Sequence, residues 1–118
     1  MSAAPATYHM QIRRGTTAAR VLHLVDADNA PINLTGYEPR AQARLRAGAP
    51  LAFALPFVID NAPGGQVSLT LTPEATSALP SGRFVWDFVL FHTATSAIYG
   101  PFIVGDVLVQ DAITQPPA

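Results

Sequence analysis

Short segments in which apolar and polar residues alternate recur along this chain, and residues such as Gly, Pro, Asn and Asp separate them. Alternation with a period of two is the pattern of a β-strand that has one buried face. The segments are 8–13, 20–25, 40–46, 51–59, 66–72, 83–91 and 98–110. Strands of this number and spacing predict an all-β fold, an immunoglobulin-like β-sandwich of about seven strands, with a small barrel or a jelly roll as the alternative.

Two prolines modify this pattern. Pro56 lies inside the segment 51–59 and has no backbone N–H to donate, so we expect an edge strand or two short pieces there. One short helical turn is predicted near 73–79, because Thr72 can cap it and Pro73 suits its first position.

The length of 118 residues suits one domain. We expect a single β-sandwich over residues 7–112, with a flexible N-terminal arm at 1–6 and a flexible C-terminal tail at 113–118. Either end could order against a neighbouring molecule. The first residues have neither the charged region nor the apolar region of a secretion signal, which predicts synthesis in the cytoplasm.

The composition excludes several classes of function. The chain has no cysteine, which excludes disulfides, thiol catalysis and cysteine-based zinc sites. The net charge of -1 gives no electrostatic reason to bind nucleic acid or a membrane. Charged residues make up 13% of the chain, whereas soluble domains average about 25%. We therefore expect a surface partly buried against other subunits, although a soluble surface rich in Ser, Thr, Asn and Gln is the alternative.

The segment 83–91 is apolar on both faces of the predicted strand. Four large residues share the face that we expect in the core: Phe84, Trp86, Phe88 and Leu90. Val85, Val89 and Phe91 lie on the opposite face, where they would form an exposed apolar patch in a monomer. We expect a neighbouring subunit, or its terminal arms, to cover this patch. The alternative is that the loop 26–39 or the helical turn of the same chain covers it.

Arginine supplies all seven basic residues, and three of these share one face of the segment 40–46. The residues between them are expected to point inward: Ala41, Ala43 and Leu45. No acidic residue separates Arg40, Arg44 and Arg46, so they predict a docking surface for carboxylates of a neighbouring subunit, which arginine binds in bidentate pairs. A solvated face is the alternative. Nucleic acid is a weaker one, because no stacking aromatic residues flank the stripe.

The stretch from Asp26 to Asn29 has part of the spacing of a calcium-binding loop. A complete loop needs glycine at its sixth position and a carboxylate at its twelfth, and this chain has Pro31 and Tyr37 there. A simple turn is therefore the expectation.

The other polar motifs predict no catalytic, cofactor-binding or metal-binding residues. His9, His23 and His92 are far apart and lack a metal-ligand spacing, and we expect His23 to be partly buried. No G-x-S-x-G motif is present, and a turn accounts for Ser81. Nothing in the sequence brings the carboxylates of a glycosidase together from Asp60, Asp87 and Asp106. We expect a protein that is not an enzyme and has no cofactor and no small-molecule substrate.

Three longer stretches carry a family resemblance: DADNAPINLTGYEPRAQAR at 26–44, VSLTLTPEATSALPSGRFVWDFVLF at 67–91 and YGPFIVGDVLV at 99–109. Their distinctive elements are an acidic turn, NLTG, an alternating strand with arginines, LTPEAT and LPSGRFVWD. In these elements the chain resembles small structural proteins of tailed bacteriophages that have an immunoglobulin-like fold. The chain resembles in particular the N-terminal domain of phage baseplate upper proteins, and the resemblance spans residues 7–110.

The resemblance implies a structural protein of a tailed-phage virion, assembled in the cytoplasm of the bacterial host. It implies contacts with other virion proteins and a homo-oligomer in the tail, the baseplate or the head–tail junction. The alternative is a capsid decoration or adhesion module whose loops bind a host glycan or protein. Aromatic residues at loop tips would favour that alternative, and the predicted loops hold Tyr37 and Tyr99.

Overall fold

The computed structural model describes residues 6–26 and 28–111, and this part of the chain contains nine strands and one short helix. The strands are β1 (Ala6–Thr7), β2 (Met10–Arg14), β3 (Ala18–His23), β4 (Tyr37–Arg44), β5 (Leu51–Ala54), β6 (Val58–Asn61), β7 (Gln66–Leu71), β8 (Gly82–His92) and β9 (Ile98–Asp111). The helix α1 (Pro73–Ser77) lies between β7 and β8. No helix of the described part is long and apolar enough to cross a membrane.

The strands form two sheets, which confirms the predicted all-β, immunoglobulin-like sandwich. The large sheet has the order β1-β9-β8-β4-β5, with β2 also paired to β9, and the small sheet has the order β3-β7-β6. The central strands β9-β8-β4 correspond to the G-F-C sheet of an immunoglobulin domain, and the small sheet corresponds to its B-E-D sheet. The short helical turn is also present, close to its predicted place.

The predicted fourth strand is divided in two, and a further short strand, β1, precedes the predicted first strand. β1 and β2 run parallel to β9 in one register, because Ala6 opposes Ile103 and Met10 opposes Val107. Pro56 lies between β5 and β6, where the chain crosses from the large sheet to the small sheet. The interruption by this proline therefore produces two short pieces, as the sequence predicts.

The core lies between the two sheets and is built around aromatic side chains. The four residues predicted for the core face of β8 are at most 4% exposed: Phe84, Trp86, Phe88 and Leu90. Phe57 stacks on Trp86 with ring centroids 5.9 Å apart and an interplanar angle of 11°. The same Phe57 ring meets Phe88 edge-on at 5.3 Å. Because large aromatic rings dominate core energetics, this cluster fixes β8 against the small-sheet side of the sandwich.

Some boundaries differ from the predicted ones. β4 ends at Arg44, two residues earlier than predicted, so Leu45 lies in the following turn with 63% of its surface exposed instead of pointing inward. The predicted arms at 1–6 and 113–118 lie outside the described residues, apart from Ala6, which pairs with Ile103.

Two polar residues considered as ligands have local structural explanations. The carboxylate of Asp26 accepts hydrogen bonds from the backbone N–H groups of Asp28 and Ala30 at 2.9 and 3.0 Å, which closes the predicted turn. His23 is exposed, not partly buried, because its face of β3 points away from the large sheet. Within residues 6–26 and 28–111, no three His, Asp or Glu side chains converge on one point that could hold a metal.

Candidate protein interface

The side chains of β4, β8 and β9 that point away from the small sheet form a continuous surface, which we call the outer face. Strand register aligns these side chains in rows across the sheet. One row consists of Arg44, Val85 and Asp106. The next row consists of Gln42, Asp87 and Val104. Of the six predicted interface residues, all except Arg46 belong to this face.

The apolar side chains of β8 on the outer face are only partly covered. Val85 is 39% exposed, and Val89 and Phe91 are half-buried. The guanidinium of Arg40 lies 4.0 Å from the centre of the Phe91 ring, in cation–π geometry. The helix α1 packs against β2 and β7 instead. An arginine of the same chain therefore shields Phe91, and Val85 keeps an accessible surface.

Two of the three predicted arginines belong to the outer face. Arg40 and Arg44 lie on β4, whereas Arg46 lies beyond the end of the strand. The Nε of Arg40 is 3.3 Å from Oε1 of Glu38, on the same face. The Nη1 of Arg44 donates to the Ala49 carbonyl at 2.6 Å, and its Nη2 donates to the Gln42 side chain at 2.8 Å. These cations therefore have partners within the chain, which the strand pattern alone does not indicate.

The structure adds Arg83 and Asp106, two charged residues that the strand-by-strand analysis did not assign to this surface, beside Asp87, which alternation in β8 already places there. Arg83 and Asp106 are diagonal neighbours on β8 and β9, with Nη1 and Oδ2 3.6 Å apart. The backbone N–H of Asp106 donates to Nδ1 of His9 at 3.1 Å. Asp87 is exposed on the same face of β8. Alternation in β9 would have suggested Asp106, but only the register shows which residues stand beside it.

A shallow depression of about 440 Å³ lies on the outer face around Val85. Its lining includes three apolar or small residues and three charged ones: Val85, Val104, Gly105, Arg44, Asp87 and Asp106. An apolar floor with charged groups close by is the usual composition of a surface that contacts another protein.

A second group of side chains lies at the end of the β8–β9 hairpin. The ring centroid of Tyr37 is 4.9 Å from that of His92 and 6.0 Å from that of Tyr99, both in edge-to-face geometry. Ile98 and Tyr99 are 62% and 49% exposed. Tyr37 and Tyr99, expected in loops, are in fact strand residues near the ends of β4 and β9, and they are neighbours in space.

Comparisons with known proteins identify neither a family nor a function for this chain. No family model and no curated protein matches it. Seventeen chains of solved structures are similar, among them a family 123 glycoside hydrolase from Clostridium perfringens. That similarity covers 91% of this chain and 23% of the hydrolase chain, at 11% identity and a TM-score of 0.34. A likeness at this level supports neither a fold nor an activity, and the resemblance to phage proteins stays a prediction.

Proposed function

We propose that this protein is a non-enzymatic structural component of a tailed-phage virion, located in its tail, baseplate or head–tail junction. In this proposal it forms a homo-oligomer and contacts other virion proteins through the outer face. The observation that carries the proposal is the exposed Val85, set among charged residues on a face that the small sheet does not cover. The placement in a virion rests on the sequence resemblance.

The size of the outer face suits a stable contact. β8 has 11 residues, so at ~3.3 Å per residue the face is about 36 Å long. Its three strands at ~4.8 Å spacing make it about 14 Å wide. The product is on the order of 500 Å², more than half of the roughly 800 Å² that each partner contributes to a standard interface. The outer face can therefore supply most of one interface.

The sparse charge supports the same proposal. Seven basic and eight acidic residues are distributed over 118 positions, and the net charge is -1. Proteins with so little net charge tend to associate, because repulsion between molecules is weak. Burial of part of the surface in an assembly would remove the exposed aliphatic side chains from water.

A second candidate function is supported by the end of the β8–β9 hairpin. Tyr37, His92 and Tyr99 form an aromatic group there, and Tyr99 is exposed. Aromatic rings at the end of a sandwich, beside its loops, are suited to bind a glycan or a protein of a host surface. This would be the function of a decoration or adhesion module.

Size-exclusion chromatography with light scattering separates the two candidates. We expect the purified protein to exceed its monomer mass of 12.5 kDa, increasingly so from micromolar to submillimolar concentration. Immunogold labelling of purified source particles should place the protein on the virion. A monomer at every concentration that binds glycans on an array, and loses that binding with Tyr99→Ala, would contradict the structural function and support the second candidate.

A further inference from the structure

Four charged residues surround Val85 on the outer face. Arg44 and Asp106 are its neighbours on β4 and β9, one on each side, at the ~4.8 Å spacing of strands. Arg83 and Asp87 precede and follow it on the same face of β8, about 6.8 Å along the strand. In circular order around Val85 the charges are therefore two adjacent cations followed by two adjacent anions.

We propose, on the basis of the proposed function, that this patch binds a second copy of the same chain about a two-fold axis through Val85. The patch is electrically balanced and divided into a positive half and a negative half. Such a surface is complementary to itself after a rotation that exchanges the halves. A partner with a uniform charge, such as nucleic acid, would be attracted by one half and repelled by the other.

The positions of the four charges select one direction for the axis. This axis lies in the plane of the interface and runs diagonally, between the direction of the strands and the direction of the rows across them. A two-fold rotation about it places Arg44 against Asp87 of the second copy. The same axis places Arg83 against Asp106 of the second copy, and every contact occurs twice. The two large sheets then cross at nearly a right angle, which is one of the two usual packings of sheets. An axis parallel to β8 would instead place Asp87 and Arg83 each against its own copy, and repulsion of like charges disfavours it.

The shape of the outer face fits this arrangement. The Arg83 side chain is 67% exposed, so it projects from the face. In the two-fold arrangement it enters the depression of about 440 Å³ on the second copy, which Asp106 and Asp87 help to line. Within its own chain Arg83 reaches Asp106 only at 3.6 Å. Its planar guanidinium can therefore form closer, bidentate pairs with carboxylates of the second copy.

Charge reversal tests this pairing. Arg83→Glu and Asp106→Arg each turn two pairs of opposite charges across the interface into two pairs of like charges. We expect each variant alone to raise the dissociation constant for self-association at least about tenfold in sedimentation velocity experiments. An equimolar mixture of the two variants should associate again. The glutamate introduced at position 83 of one chain then faces the arginine introduced at position 106 of the other. The unchanged Asp106 of the first chain also faces the unchanged Arg83 of the second. Each substitution also creates repulsion between like charges within its own chain, and each chain keeps that repulsion in the mixture. Restored association therefore reports the contact between the two chains.

Asp28→Arg is the matched control, because it makes the same charge change in the exposed loop after β3. It should leave self-association within about twofold of the wild type. Circular dichroism spectra like that of the wild type establish that each variant is folded. If the wild-type protein associates and both reversals leave association unchanged, or the mixture does not restore it, the two-fold pairing is wrong while the structural function stands. A wild-type protein that is monomeric at every concentration contradicts both.

Discussion

The packing around Gly105 on β9 leaves no room for a side chain. A Cβ atom built there would overlap the carbonyl oxygen of Tyr8, which lies between β1 and β2. The same carbonyl accepts a hydrogen bond from Nε1 of Trp86 at 2.9 Å. The backbone N–H of Tyr8 in turn donates to the carbonyl of Val104 at 2.9 Å. The close approach at Gly105 thus lets a core tryptophan hold the edge of the large sheet.

We expect Gly105→Ala to lower the free energy of unfolding by about 2–3 kcal/mol, because the Cβ must push the edge strand away and break the Trp86 hydrogen bond. Urea unfolding followed by circular dichroism measures the loss. Gly48→Ala is the control: its Cβ would have no atom within 4 Å, and only its positive φ of 83° is unfavourable. That strain costs about 1 kcal/mol. Equal losses in the two variants would contradict the steric explanation.

At the scale of elements, α1 depends on contacts outside itself. It has five residues, and so short a helix is not stable alone in water. The Thr72 hydroxyl caps it by accepting from the N–H of Ala75 at 3.2 Å. Thr76 is fully buried, and its hydroxyl donates to the Thr16 carbonyl at 2.8 Å and accepts from the N–H of Gly15 at 3.0 Å. Thr76 therefore fastens the helix to the β2–β3 turn.

Thr76→Val removes this hydroxyl and keeps the shape of the side chain. The backbone groups of Gly15 and Thr16 would then be left without their buried partner, and we expect the free energy of unfolding to fall by about 2 kcal/mol. Thr76→Ser keeps the hydroxyl and should cost less than about 1 kcal/mol. Thermal unfolding of the three proteins provides the comparison, and a Ser variant as unstable as the Val variant would refute the role of the hydroxyl.

Arg20 protects the β3 edge of the small sheet from pairing with another chain. Arg20 lies at a core-facing position of β3, the edge strand of the small sheet. Its guanidinium donates to the Ala19 carbonyl at 2.8 Å and to the Gln11 carbonyl of β2 at 2.9 Å. A charged residue that points inward at an edge discourages pairing with another chain. This edge is therefore less suited to self-association than the outer face.

At the scale of the whole molecule, both sheets share one core. β3 and β7 of the small sheet contribute side chains to the same cluster as β4, β8 and β9, and Ile59 of β6 packs against it. Trp86, the only tryptophan of the chain, is 3% exposed within that cluster. A single shared core implies that neither sheet remains folded without the other.

We therefore expect a single cooperative unfolding transition. Trp86 fluorescence reports on the core, and far-ultraviolet circular dichroism reports on the strands of both sheets. The two signals should give the same midpoint in urea. A fluorescence transition that precedes the loss of strand signal would mean that the large sheet unfolds separately.

The amino-acid sequence by itself determined the strands, the helical turn and the core face of β8. Alternation and turn residues act over a few neighbouring positions, so they can be recognised in the sequence without knowledge of the fold. They fail where a strand stops, as at Leu45, because the end of β4 is set by the turn that brings Leu51 of β5 opposite Arg44.

Only the tertiary structure decided which side chains meet across strands. Arg40 and Phe91, or Arg83 and Asp106, are distant in sequence, and register between strands brings each pair together. Register follows from how the two sheets bury their apolar faces, which is a property of the whole core and not of any one segment. The arrangement of charges around Val85 therefore becomes visible only once the sandwich is assembled.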